Sequence, residues 1–280
     1  MPVYKAEAIV LRQQALGESD RIVTLFTREH GKLRAAAKGV RRPTSRLAGR
    51  IEPFTHAQLM LARGRTLDVI AQAEIIRTFA GVRKDLIRAA YAAYVVELID
   101  RGLPERDRHE DVFGLAGDAL EQLDGGRAED AEVTTLWFGL RLAGLLGYQP
   151  ETAACVECGR RLPRARGAAE AWAFSPSSGG ALCPGCRPHD PQAMNASCGA
   201  LGACEYLATA PKGQWARLRI STAQRAELAR LVQAHLEHRL EVRFRAPQVI
   251  RRLAQASPPE LARAAHEQPG VGAPPGGRPA

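Results

Sequence analysis

Two groups of residues in this chain could do chemistry: a set of cysteines and a run of cations. Four of the six cysteines, Cys155, Cys158, Cys183 and Cys186, form C-x2-C, 24 intervening residues, then C-x2-C. Two residues between thiolates let one tight turn aim both sulfurs at a common centre. Two such turns make a tetrahedral four-sulfur shell, which suits Zn²⁺. Gly159, Pro184 and Gly185 flank the pairs, as tight knuckles require. Four thiolates close the shell and leave no position for water, so the site is structural, and metal binding would organise a segment poor in apolar residues. A redox pair, an iron–sulfur centre and free thiols are the competing readings. Cys198 and Cys204 lie six residues apart, off a common helical face, and read as buried apolar-like side chains.

The cations are concentrated at one end. Over the whole chain the formal net charge is +9. Residues 1–80 hold 14 Lys and Arg against 7 Asp and Glu, a net of +7, and the remaining residues carry only +2. Residues 31–50 contain Lys32, Arg34, Lys38, Arg41, Arg42, Arg46 and Arg50 and no acid. Such a run suits a polyanion, because each contacted phosphate releases condensed counterions without any reading of sequence. A solvated surface that keeps the protein in solution is the plainer reading. Gly39 and Pro43 interrupt any helical face there, which argues against a membrane-surface helix.

Other chemistry is not signalled. There is no G-x-x-x-x-G-K-[ST], H-E-x-x-H, G-x-S-x-G or kinase signature. A nuclease would need clustered carboxylates for Mg²⁺, and residues 1–80 offer scattered acids. Glu18 and Asp20 fall in a turn, where capping is the ordinary role. His189-Asp190 reads as an exposed loop, and His235 with His238 as solvent or interface residues. Trp137 and Phe138 read as core, as do Tyr4, Phe26 and Phe54.

These residues need elements to hold them. Hydrophobic residues make up 45% and charged residues 25% of the chain, which excludes a disordered, collagenous or disulfide-scaffold protein. No apolar run approaches the ~18 residues of a membrane span, and no basic leader precedes one, so a cytoplasmic protein is expected. Strands are predicted over 4–12, 21–28, 33–38, 57–62 and 66–75, with turns at 16–20, 29–32 and Arg63-Gly64-Arg65. Five strands without an intervening helix favour a small barrel, OB-like or SH3-like on pattern alone. Helical spacing follows over 83–102, 112–123, 128–146, 197–209, 221–239 and 247–255. The expected class is α+β. It comprises a barrel at 1–80, helices at 81–150, a four-Cys segment at 151–190, further helices at 191–256 and a disordered tail at 257–280.

Three stretches carry a resemblance. The start, YKAEAIVLRQQALGESDRIVTLFTREHGKLRAAAKGVRRPTSRLAGRIEPF, together with FGLRLAGLLGYQPETAACVECG and FSPSSGGALCPGC, is similar to the RecO family of bacterial DNA repair proteins. LVQAHLEHRLEVRFRAPQVIRRL matches more weakly, with RAPQVIRRL where that family more often has a Lys-Ser pair. The resemblance implies an N-terminal OB-fold of five strands and a helical domain with an inserted four-Cys zinc segment. It also implies a recombination mediator without catalytic turnover, one that binds single- and double-stranded DNA and anneals complementary strands. Such a mediator helps load RecA on strands coated by single-strand-binding protein. The implied partners are RecR and the acidic C-terminal tail of single-strand-binding protein, and the implied place is the nucleoid. The family's KG-x-R-x3-S pattern falls on Lys38, Gly39, Arg41 and Ser45. With the charge pattern, it marks Lys32, Arg34, Lys38, Arg41, Arg42 and Arg46 as DNA contacts. A zinc-containing nuclease and a zinc-ribbon RNA or transcription factor are the alternatives.

Overall fold

The computed structural model describes residues 2–163 and 171–255; the tail expected at 257–280 lies outside them. Five strands come first: β1 (Val3–Leu16), β2 (Asp20–Thr27), β3 (Gly31–Ala37), β4 (His56–Ala62) and β5 (Asp68–Arg77). They close a barrel in the order β1-β2-β3-β5-β4, with β1 returning to pair with β4. All neighbours are antiparallel except β3 and β5, which run parallel at Ala35–Asp68 and Ala36–Val69. This is the OB-fold, and it resolves the choice against an SH3-like barrel. Alternation sets the interior: Ala6, Ala8 and Val10 of β1 meet Val23 and Leu25 of β2 and Leu59 and Leu61 of β4. β1 extends four residues beyond the predicted strand. A bulge between Val10 and Arg12 bends it, and its polar end stays in the ladder to Leu16–Asp20. Closing so small a barrel demands that bend.

Among the described residues seven α-helices follow: α1 (Ala80–Lys84), α2 (Leu86–Gly102), α3 (Glu110–Gly125), α4 (Ala131–Leu145), α5 (Cys198–Thr209), α6 (Thr222–Arg239) and α7 (Ala246–Gln255). The helix predicted over 83–102 is split because Asp85 turns extended and caps α2, its carboxylate accepting from the N–H groups of Ile87 and Arg88 at 2.9 and 3.0 Å. Residues 128–130, predicted as the start of the next helix, form a tight 3-10 turn. α4 runs through the middle, buried along most of its length. Trp137 stacks on Trp215 at 3.9 Å and donates its indole N–H to the Ala210 carbonyl. Between α4 and α5, β6 (Ala173–Ser175), β7 (Gly180–Leu182) and β8 (Met194–Asn195) form a small sheet in the order β7-β6-β8. No described helix is long and apolar enough to cross a membrane.

Barrel and helices share one core. Ile9, Leu11 and Phe26 face outward from the barrel and are buried with Val95, Val96, Ile99 and Phe113. Burying each such side chain is worth about 1.5–3 kcal/mol. At the edge of this joint Gly31, at φ +65°, lets the backbone pass against Asp107, whose carbonyl oxygen would lie 1.9 Å from an added Cβ.

Candidate nucleic-acid interface and metal centre

The connection from β3 to β4, residues 38–55, carries the basic run. It is fixed at its start by Asp20, whose carboxylate accepts from the Gly39 N–H at 2.7 Å and the Ser19 hydroxyl at 3.0 Å. Those two donors hold the Asp20 carboxyl below its usual range. The Arg41 N–H donates to the Ser19 carbonyl at 3.0 Å, so the loop lies on the β1–β2 turn. Tight turns follow, closed by Arg42 N–H to Gly39, Ser45 N–H to Arg42 and Arg50 N–H to Leu47. Val40 and Ile51 are buried in the barrel core, with Leu47 and Ala48 packed against it. These apolar pegs plug the end of the barrel, and Lys38, Arg41, Arg42 and Arg46 between and beside them are exposed. Among the described residues none of these four forms an ion pair, though Lys38 and Arg42 lie close enough to act on the Asp20 carboxylate beneath the loop. Arg41 makes one long contact, 3.4 Å, to the Gly17 carbonyl.

Lys32 and Arg34 do not share that environment. Both lie on β3, on its outward row. Lys32 is 8% exposed, and its amino group donates to the Asp100 carbonyl of α2, with the Asp100 carboxylate 3.8 Å away. Burial presses its pKa down, against the opposing pull of Asp100 and Glu105. Arg12 completes the cluster, 2.5 Å from the same carboxylate. Arg34 pairs with Glu105 at 3.0 Å. Lys32 is thus committed to the joint between barrel and helices, whereas Arg34 stays exposed in a surface pair with Glu105. Arg50 donates to the Ala73 carbonyl at 2.9 Å. Of the aromatic side chains expected in the barrel core, Phe26 is buried against the helices, whereas Tyr4 and Phe54 are half-buried. The Tyr4 hydroxyl donates to Asp68 at 2.6 Å.

The four cysteines converge. The sulfurs of Cys155, Cys158, Cys183 and Cys186 all lie within 4.8 Å of one another, and Cys158 and Cys183 are 3.7 Å apart. A tetrahedron with Zn–S bonds of about 2.3 Å has edges of about 3.8 Å, so the four sulfurs could hold a metal ion. Backbone hydrogen bonds shape each knuckle: Gly159 N–H to Cys155, and Cys186 N–H to Cys183. Around Cys155, burial opposes ionisation, but N–H groups at Cys158, Cys183 and Glu157 outweigh it and bring the thiol down to about 6. Cys186 is raised by desolvation and by the surrounding cysteines. A central cation would favour the ionised form of all four. Cys155 and Cys183 pack with Trp172, Phe174, Leu201 and Leu231, so the site ties the small sheet to α5 and α6. Asp190 serves the same segment, accepting from Ser175 and Ser177 at 2.6 and 3.1 Å. Cys204 is buried and its thiol is pushed up to about 12 by desolvation, while Cys198 is half-buried.

His235 differs from the expectation of a solvent or interface residue. It is 1% exposed, donates from Nε2 to the Tyr148 carbonyl at 2.6 Å and lies edge-on to Phe174. Burial, first among several causes, lowers its pKa. Its signal in the sequence was the apolar spacing of Leu228, Leu231, Val232 and Leu236 around it, a stripe that continues onto the histidine.

Residues 1–79 match the family model described as Recombination protein O N terminal, and residues 83–248 that described as Recombination protein O C terminal. The chain is 38% identical over 256 residues to a DNA repair protein RecO of Pelotomaculum thermopropionicum, covering 91% of this chain and 96% of that protein. It is 37% identical over 256 residues to its counterpart in Symbiobacterium thermophilum, covering 91% and 100%. A Roseiflexus protein of the same name is 41% identical over 239 residues, covering 85% and 82%.

Proposed function

The chain belongs to the recombination protein O family of DNA repair and recombination, and from that membership we propose that it is a DNA-binding mediator with no catalytic turnover. In this reading it anneals complementary strands and helps load RecA on single-stranded DNA coated by single-strand-binding protein. RecR and the acidic C-terminal tail of single-strand-binding protein are its protein partners, and the nucleoid is its place of work. The observation that carries the reading is the plugged end of the barrel, where Lys38, Arg41, Arg42 and Arg46 stand exposed on one loop without an ion pair among the described residues. Annealing brings two phosphate backbones together, and a cationic surface lowers their repulsion without reading bases. Lys32 has no part in that surface, because it is buried with its charge taken up by Asp100, while Arg34, in an exposed pair with Glu105, remains available to phosphate.

The four cysteines would hold Zn²⁺, which supplies no reaction step and serves to keep the small sheet folded. The test is strand annealing on oligonucleotides coated with single-strand-binding protein, titrated with salt and with EDTA. Annealing that falls steeply with salt, without DNA cleavage, is expected. Robust EDTA-sensitive cleavage would overturn the reading in favour of a nuclease, and preference for RNA over DNA in competition would favour a zinc-ribbon factor.

A further inference from the structure

OB barrels commonly take oligonucleotides on strands 2 and 3, between the β1–β2 and β4–β5 loops. In this chain much of that face is closed, with Arg34 left exposed on β3. Phe26 of β2 lies against Phe113 of α3 with ring centroids 5.8 Å apart, Lys32 of β3 is spent on Asp100, and Ile9 and Leu11 beside them are in the helical core. A strand held by the basic loop needs another way across the barrel.

The outer wall of β1, β4 and β5 is open. Register places Lys5 beside Met60 and Met60 beside Gln72, with Gln58 beside Glu74 in the neighbouring row. The alternate residues Ala6, Leu59 and Ala73 point inward and are buried, so these side chains face out. The basic loop returns over this wall: Arg50 is anchored on the Ala73 carbonyl, and Arg46 stands at the rim. Together they enclose a groove of about 850 Å³. Its lining carries Lys5, Arg46 and Arg50 against a single acid, Glu74. Among the described residues Lys5 and Glu74 make no ion pair with anything.

We propose that this groove is a second nucleic-acid site, continuous with the basic loop, that holds one sugar–phosphate chain across β1, β4 and β5. The inference rests on the DNA-binding reading above and adds the path. Three strands at about 4.8 Å spacing give a floor about 10 Å across, which suits one backbone lying flat. Three cations bind phosphates, the amides of Gln58 and Gln72 can reach the sugars, and Met60 offers base faces an apolar surface. Nothing in the groove distinguishes one base from another, as annealing of any sequence requires.

The test measures binding of an oligo-dT single strand by full-length protein across a salt series. Glu74→Lys removes the one acid and should tighten binding several-fold at low salt and steepen the slope of log K against log salt by about 0.7, one added phosphate contact. Lys5→Glu should weaken binding and flatten the slope by a similar amount. Glu129→Lys, on an exposed turn of the helical domain, is the charge-matched control. Wild-type affinity in both groove variants, or an equal gain from the control, overturns the groove. Should Lys5→Glu fold poorly, Glu74→Lys decides alone, because a damaged protein does not bind more tightly. Arg41→Ala/Arg42→Ala, measured alongside, reports on the loop. If it weakens binding while the groove variants do not, the path fails and the DNA-binding reading stands. If neither moves, both fail.

Discussion

Replacing Arg41 and Arg42 together by alanine separates a phosphate-binding loop from a merely soluble one. Both guanidiniums are exposed, neither forms an ion pair among the described residues, and the pegs that hold the loop are Val40 and Ile51. The double variant should therefore keep its fold and lose two counterion-releasing contacts. Each contact on a single strand contributes about 0.7 to the slope of log K against log salt, so the slope should flatten by about 1.4. Between about 50 and 200 mM salt the wild-type advantage should shrink about sevenfold, since log salt rises there by about 0.6. Fluorescence anisotropy with a labelled oligo-dT strand measures both quantities, and urea unfolding checks that stability is unchanged. An unchanged slope in a folded variant would refute the reasoning, because it would mean that these cations meet no phosphate.

Lys32→Ala should do the opposite: the salt slope holds, while stability in urea falls by about 1–3 kcal/mol because Asp100 loses a buried partner and keeps only Arg12. Cys155→Ser should lose the metal ion, measured by elemental analysis of reduced protein, and lower the thermal midpoint; wild-type protein that carries no metal when purified reduced would sink the site. His235 is held neutral by burial, so its folded pKa lies below the ordinary 6.5. The unfolded chain therefore binds the extra proton, and the histidine's contribution is present above about pH 6.5 and lost as pH falls toward the folded value. His235→Gln should flatten the drop in urea midpoint between about pH 7 and pH 5.5, and an equal drop in both proteins would count against the buried neutral ring.

The barrel was legible because β1 and β2 are apolar, β-branched runs, β4 alternates strictly, and Gly31 marks a chain reversal that needs positive φ. The cysteine site was legible because its chemistry is local: two knuckles, each complete within four residues. The cations were only half legible. Composition shows seven of them between residues 31 and 50 but cannot tell a strand position from a loop position on the same run. Lys32 and Arg34 occupy the outward row of β3. Asp100, some seventy residues on, takes Lys32 out of water, while Arg34 stays exposed. His235 failed for the same reason, since its partner Tyr148 and its neighbour Phe174 belong to other elements.

The covered strands have a consequence for how the molecule would work. Had the helices met the barrel through a few surface ion pairs, the two could rock, and a strand on β2–β3 could enter between them. Instead Phe26, Ile9 and Leu11 are sealed with Phe113, Val96 and Ile99, and Gly31 leaves no room between its strand and Asp107. Separating these surfaces would expose several large apolar side chains at about 1.5–3 kcal/mol each, more than a few surface phosphate contacts return. On the reading proposed above, the barrel's basic loop and its β1–β4–β5 wall would therefore keep a fixed orientation to the helices. A protein that docks on the helical side would meet the bound strand at one set angle, so the joint transmits position without itself moving.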